Sequence, residues 1–324
     1  MIEPLVARLT DAQRALGVVG AMTADVLQRD RPLGIPGAVS PNGSCRMVRA
    51  ADGWIAVNLP RSCDAELVPA WLEQDIGHAD PWQAIMAAAR FLPCRELERR
   101  AELLGLAVGT VDSIKAAGIS RMRMGSRGNC GRQVLDLSAL WAGPLCAGLL
   151  AQSGFAVTKA ACVNRPDPTA HSTPEHDRRL NGAKQRIAFD FADRARLHAL
   201  VAQADIVVFS ARPRALAGLG IDLSGWFRAR AGRIWVSVTA YGWRGAGAER
   251  IGFGDDAAAA GGLVDWAGGA PRFAGDALAD PLTGIAAAAA ALEAVRQGGG
   301  VLIDAALARV AAQVQQQRLA RCAA

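Results

Sequence analysis

The sequence predicts an α/β protein, in which a Rossmann-like, mainly parallel sheet domain is joined to a smaller α+β domain. Three observations carry that expectation. Beyond residue 133, short apolar runs alternate with helix-like stretches, the pattern of strands joined by crossover helices. The first third has another texture, with a hairpin signal beside helical periodicity. Between them lies a Gly- and Arg-rich stretch. The expected organisation is an N-terminal helix and small α+β domain over 1–115, a linker over 116–132, and the sheet domain with a C-terminal helix over 133–324. A chain of 324 residues with 51% hydrophobic content has material for about two cores.

In chain order, Leu5, Leu9, Ala12, Leu16 and Val19 recur at helical spacing, and the Pro- and Gly-rich segment from Arg31 to Gly37 ends that helix. Apolar runs at 45–49 and 54–59 flank Ala51, Asp52 and Gly53, which supply the positive φ of a tight turn, so a hairpin is expected. Residues 64–105 read as mostly helical, with Trp71, Trp82, Ile85, Ala88 and Leu92 in the core. In the linker, Arg121, Arg123, Arg127 and Arg132 are interspersed with Gly118, Gly125, Gly128 and Gly131. A solvated connection is expected there, with a phosphate contact as the alternative; without interleaved aromatic residues it is no nucleic-acid surface. Segments 134–137, 155–159, 186–190, 205–209 and 233–238 read as strands, with helices over 143–152 and 192–204.

The composition narrows the function classes. No basic stretch followed by an apolar run opens the chain, so no secretory signal is expected. The longest apolar tract, 281–292, stops at Glu293, short of the ~20 residues a bilayer needs, so no membrane partner is expected. Seven scattered cysteines, never spaced C-x-x-C, argue against a zinc knuckle and a disulfide framework, and point to a reducing cytoplasm. The formal charge of +6 favours anionic ligands.

Several templates are missing. There is no H-E-x-x-H, no Walker A loop and no G-x-S-x-G elbow. The turn after the first strand of the sheet domain, 138–144, reads SALWAGP rather than G-x-G-x-x-G, so no NAD site is expected. Of four histidines, His171 and His176 lie in a Pro- and Asp-rich stretch read as a solvated loop; metal binding is the alternative, but the spacing fits no standard site and no metal is expected. His78 matches no motif, and His198 reads as an exposed helix residue.

Asp280 stands before Pro281 and the Ala-rich run 285–291. That is a helix start, because an Asp oxygen accepts from the free amides of the first turn and proline is tolerated at the first helical position. On local pattern alone Asp280 is a cap. Asp255 and Asp256 read likewise as a helix cap rather than a carboxylate dyad.

The order of the segments resembles the class III CoA-transferase family of the CaiB/BaiF type. The pieces are VLDLS at 134–138, WAGP at 141–144, LNGAKQRIAFD at 180–190, ADIVV at 204–208, Arg212-Pro213, Leu219-Gly220, VSVTAYG at 236–242, GFGDD at 252–256, ALAD at 277–280 and GVLID at 300–304. In the first third, ADGWIAV at 51–57 and LGLAVG at 104–109 look like parts of the family's small domain. That domain normally follows the sheet segments and here precedes them, so the chain looks circularly permuted, or like one module of a longer tandem arrangement.

The resemblance implies an acyl-CoA:carboxylate CoA-transferase whose substrates are an acyl-CoA, with coenzyme A as the carried group, and a carboxylic acid acceptor. It also implies a homodimer, interlocked in the family. Asp280 matches the family's nucleophile, which attacks the donor thioester to form a mixed anhydride and then a thioester with CoA. The loop at Trp141, Ala142 and Gly143 is implied to lie near CoA, with Lys159, Arg165, Arg212 and Arg214 as candidate contacts. Two positions at which family members often carry arginine read Cys162 and Gly218, and Trp141 stands where a glutamine can occur. A noncatalytic CoA-binding or partner subunit is the rival reading. An α-methylacyl-CoA racemase ranks third, because the histidine it needs after Gly252 is replaced by Phe253, which cannot titrate. Trp141, Trp243, Phe253 and Trp266 either line an apolar pocket or serve as ordinary packing.

Overall fold

The computed structural model describes residues 3–17, 29, 33–115 and 118–322. Val19 and the stop at Arg31-Pro32 lie outside them; the first helix is Glu3–Arg14, and Ala15, Leu16 and Gly17 form a turn with Gly17 at φ +74, so the helix ends before Leu16, earlier than its apolar spacing suggests. The strands are β1 Cys45–Arg49, β2 Trp54–Asn58, β3 Ala107–Thr110, β4 Ser120–Arg123, β5 Gln133–Leu137, β6 Ala156–Cys162, β7 Gln185–Phe189, β8 Ile206–Phe209, β9 Ile234–Thr239, β10 Val264–Ala267, β11 Ala270–Phe273 and β12 Val301–Ala306. The chain forms two compact units, each assembled from interleaved segments.

The first unit takes Met1–Arg31, Ile119–Ala248 and Asp280–Ala306. Its sheet has the order β4-β12-β9-β8-β5-β6-β7. Six strands run parallel, and their order, numbered within the parallel set, is 6-5-4-1-2-3, that of a doubly wound Rossmann sheet. The central strands β8, β9 and β12 are buried along their whole length, as parallel strands covered on both faces must be. Aromatic rings fill one face: Trp226 packs edge-on to Trp235, with ring centroids 5.4 Å apart, and Trp235 meets Phe209. The Trp226 indole donates to the Val201 carbonyl at 2.7 Å, so burying it leaves no stranded donor.

Four residues expected in a solvated linker instead form β4, antiparallel to β12 at the sheet edge. Arg121 pairs with Glu293, which also holds Arg8, and Arg123 donates to the Gly299 carbonyl. A polar edge strand and a polar linker have the same local composition. The distinction requires β12, some 180 residues away in sequence.

The second unit takes Pro32–Gly118, Glu249–Ala279 and Leu307–Ala324. The expected hairpin is β1 and β2, in register from Cys45 with Asn58 to Arg49 with Trp54, and β3 adds to β2; its four-residue turn closes through the Ala50 amide on the Gly53 carbonyl, and neither Asp52 nor Gly53 takes the positive φ expected of them. Helices over 62–104 cover it around Trp71, Ile55, Ile85 and Leu97, with Trp82, Ala88 and Leu92 partly buried against that core. A second hairpin, β10 and β11, turns through Gly268 and Gly269, both at positive φ. The helix Gly254–Ala260 ends where a Cβ on Gly261 would lie 2.5 Å from the Ala308 carbonyl, so only glycine permits this approach to the helix Leu307–Cys322. No helix among the described residues is long and apolar enough to cross a membrane.

Candidate active site

The strand order reverses between β5 and β8, the topological switch point at which open α/β sheets bind ligands beyond the carboxyl ends of the strands. The loops that leave those ends are tied together. The Ala139 amide after β5 donates to Ser210 Oγ after β8 at 3.0 Å, and the Leu140 amide donates to Asp167 Oδ2 after β6 at 3.0 Å. Leu140 has φ +67, a strained value for a branched side chain, held at the rim of the crevice. Gly143 is required sterically, because a Cβ there would fall 2.3 Å from Ser138 Cβ.

From this loop rises the helix Ala142–Gln152, buried along most of its length. Its neighbour is the helix Ala279–Arg296, which carries Asp280 in its first turn. The two meet at Gly284, where a Cβ would sit 2.8 Å from the Ala142 carbonyl and 2.9 Å from Leu145 Cβ. Residues 280 and 284 are one turn apart and share a helix face. The face bearing Asp280 is therefore the one turned toward the start of the Ala142 helix. The start of the Ala142 helix, with its partial positive charge, thus packs on the second turn of the helix that carries Asp280. Asp280 is half-buried, and Thr283 is fully buried with a hydroxyl that meets no hydrogen-bond partner among the described residues.

Beneath the loop lies a buried ion cluster that sequence reasoning missed. Asp136, at the end of β5, faces Lys184 at 2.8 Å and Lys159 at 3.7 Å, and all three side chains are almost completely buried. Burial pushes the Asp136 carboxyl up, but Lys184 and Lys159 together outweigh it and hold it at about 2. Ser138 donates to Asp136 through both its amide and its hydroxyl. Lys159 donates to the Ser138 carbonyl at 2.8 Å, so its ammonium is engaged within the fold. The signal for Lys184 and Asp136 was present in the motifs at 180–190 and 134–138, but a sequence does not show that the two meet.

The other candidates occupy the same carboxyl edge of the sheet. Arg165 is exposed after β6, where its amide closes a tight turn onto Cys162. Arg212 is half-buried and Arg214 exposed after β8. Gly218 lies on the following helix with open space around it. Trp141 is buried, with Arg29 over its face at 5.2 Å and His176 edge-on at 4.6 Å. The stretch read as a solvated loop around His171 and His176 is instead two short helices, Thr169–Ser172 and Pro174–Asn181, and His176 is 3% exposed. The Trp141 ring provides the apolar surface that draws His176 inward. His198 is exposed on its helix and contacts the Leu219 carbonyl. Among the described residues no group of three or more His, Cys, Asp or Glu is placed to hold a metal.

In the second unit, Phe253 precedes the helix Gly254–Ala260, and Asp256 accepts its amide at 2.9 Å, the expected cap. The carboxylates do more than cap. Asn58 donates to Asp256 Oδ1, while Asn42 bridges Asp255 at 2.6 Å and Asp276 at 3.1 Å. Burial pushes the Asp256 carboxyl up to about 7, with the neighbouring Asp255 adding to the shift. Trp243 packs partly buried on the sheet core of the first unit, and Trp266 is exposed on β10.

The family model for CoA-transferase family III matches residues 130–323. An acyl-CoA transferase of Fusarium pseudograminearum (strain CS3096) is 32% identical over 204 residues, which cover 55% of this chain and 44% of that protein. Among solved structures, a CAIB/BAIF family protein from Brucella suis aligns with a TM-score of 0.53 at 27% identity, over 61% of this chain and 58% of that one. A hypothetical protein from Mycobacterium tuberculosis aligns with a TM-score of 0.53 at 25% identity, over 61% and 59% of the two chains. The chain thus spans about half the length of the relatives it matches. With a doubly wound sheet and a family match that extends over more than half of its residues, this chain belongs to CoA-transferase family III.

Proposed function

We propose that the protein is an acyl-CoA:carboxylate CoA-transferase in which Asp280 is the nucleophile. The observation that carries this reading is the seating of the Asp280 helix, through Gly284, on the first residue of the helix that leaves the switch point. A carboxylate nucleophile has to stay ionised next to an apolar acyl group, and a helix N-terminus meets that demand with amide donors and its dipole. Asp280 attacks the thioester carbonyl, the C–S bond breaks, and CoA leaves as thiolate from a mixed anhydride. The thiolate then attacks the aspartyl carbonyl and expels the donor acid, leaving an aspartyl-CoA thioester. The acceptor carboxylate attacks that thioester and expels the thiolate, forming a second mixed anhydride with Asp280; the thiolate then attacks the acceptor's acyl carbonyl, the anhydride C–O bond breaks, and the new acyl-CoA leaves with the Asp280 carboxylate restored.

Trp141, Ala142 and Gly143 present backbone at the crevice, and Arg165, Arg212 and Arg214 lie on its edge as phosphate contacts. Lys159 acts from below, as fixed positive charge under the loop. Racemisation is disfavoured because Phe253 supplies no proton acceptor. The first third serves as the permuted small domain, and the assembly is a cytoplasmic homodimer.

Incubation with a panel of acyl-CoA donors and hydroxylamine or borohydride, followed by mass spectrometry, tests the reading. An adduct at Asp280 that vanishes in Asp280→Asn supports it. The noncatalytic reading draws on the Cys162 and Gly218 positions, and CoA binding without any adduct would favour it. Exchange of the α-hydrogen with deuterated solvent, without transfer, would favour the racemase.

A further inference from the structure

Lys184 has three N–H donors, and each is used on a different element. One goes to Asp136 Oδ2 at 2.8 Å, one to Asn181 Oδ1 on the helix Pro174–Asn181 at 2.7 Å, and one to the Pro144 carbonyl in the first turn of the Ala142 helix at 2.7 Å. The last contact is unusual, because a first-turn carbonyl already has an acceptor role within its own helix. Neutralising Asp136 needs no bond to Pro144. Fixing the height and rotation of that first turn does.

The same helix is clamped on both sides. A Cβ on Gly148 would lie 2.7 Å from the Leu180 carbonyl, so the helix presses on the Pro174–Asn181 helix, while Ala142 and Leu145 press on Gly284. A shift in the first turn of the Ala142 helix has no slack to absorb it and passes to Gly284, one turn from Asp280. We propose that Lys184 is a positioning residue, whose bond to Pro144 sets the first turn of the Ala142 helix and thereby the seat of Asp280. The effect on turnover rests on the reading of Asp280 as nucleophile; the effect on the helix does not.

Four variants test this: Lys184→Met, Asp136→Asn/Lys184→Met, Gly284→Ala, and Lys184→Met/Gly284→Ala. Single-turnover formation of the Asp280 adduct is followed together with CoA binding by calorimetry and hydrogen–deuterium exchange of peptide 278–288. In Lys184→Met the rate of adduct formation is expected to fall about 10- to 100-fold, with CoA affinity changed less than about threefold and exchange in 278–288 accelerated. Asp136→Asn/Lys184→Met leaves the cluster at its wild-type net charge, now carried by Lys159 alone, whereas Lys184→Met lowers it by one, so a loss of rate and protection common to both variants comes from the missing Pro144 bond rather than from charge, and the double variant carries the test if the single one does not fold. The Gly284→Ala defect should not multiply with that of Lys184→Met, since both disturb one contact. A double-neutral variant with wild-type rate and exchange would reduce Lys184 to a counter-ion, and multiplicative defects would overturn the shared contact. If the wild-type protein itself forms no adduct, the nucleophile reading fails; wild-type exchange in Lys184→Met would then overturn the positioning role by itself.

Discussion

Asp255 accepts a hydrogen bond at 2.7 Å from the amide of Ala277, a residue with a side chain and yet at φ +45. The other oxygen of the same carboxylate accepts from Asn42. A buried acid thus holds a strained turn that lies three residues before Asp280 in the chain. Asp255→Ala removes the acceptor from both donors and should destabilise the protein by about 2–3 kcal/mol, read by urea denaturation. Ala277→Gly relieves the left-handed strain and should cost nothing or gain up to about 1 kcal/mol. A clear loss in Ala277→Gly would show that the turn is not strained.

Asp256 gives stability an uncommon pH dependence. Its folded carboxyl titrates near 7 because it is buried, whereas the unfolded group titrates at about 3.9. Below that lower value both states are protonated and nothing is lost. Between about 4 and 7 the folded state holds a proton that the unfolded state has given up, so stability falls as pH rises and levels off above 7. Asp256→Asn keeps an oxygen for Asn58 and Phe253 and should remove this decline, with a gain of roughly 2–4 kcal/mol at pH 8 and little change at pH 4. Equal midpoints for the two proteins at both pH values would refute it.

Asp280→Asn separates the helix from the chemistry. The helix begins at Ala279, so Asp280 is its second residue rather than the expected cap, and loss of its favourable interaction with the helix dipole should change stability by less than about 1 kcal/mol. Adduct formation should nevertheless disappear, because an amide oxygen is a poor nucleophile. A large drop in melting temperature would mean that the charge at 280 serves the fold.

Gly284→Ala places a methyl group into the Ala142 carbonyl and Leu145. Overpacking of this kind costs about 1–3 kcal/mol. Transfer should fall more than stability alone explains, as seen at a temperature where the variant is fully folded.

Arg165 and Lys159 should behave in opposite ways. Arg165 is exposed, so Arg165→Ala should leave stability within about 0.5 kcal/mol and weaken CoA binding about tenfold or more by loss of a charge-assisted bond. Lys159 is buried on Ser138 and Asp136, so Lys159→Met should lower the melting temperature. Calorimetric titration with CoA beside thermal scans checks both; a stable Lys159→Met protein with lost CoA affinity would make Lys159 a direct contact.

The α/β class, most strands of the sheet, the first hairpin and a helix start within one residue of Asp280, at Ala279, are legible in the sequence, because these depend on apolar period, turn residues and helix-start chemistry within short windows. The ordered motifs also pointed to the family. Tertiary structure decided what depends on partners distant in the chain. Arg121 belongs to an edge strand because β12 lies beside it, and His176 is buried because Trp141 meets it. Lys159 faces inward because Asp136 and Ser138 await it, and Lys184 bridges three elements whose residues lie 40 to 48 positions apart or within one helix turn. Local pattern sets the helices and most of the strands; it carries no information on which strand, buried charge, carbonyl or ring will be opposite.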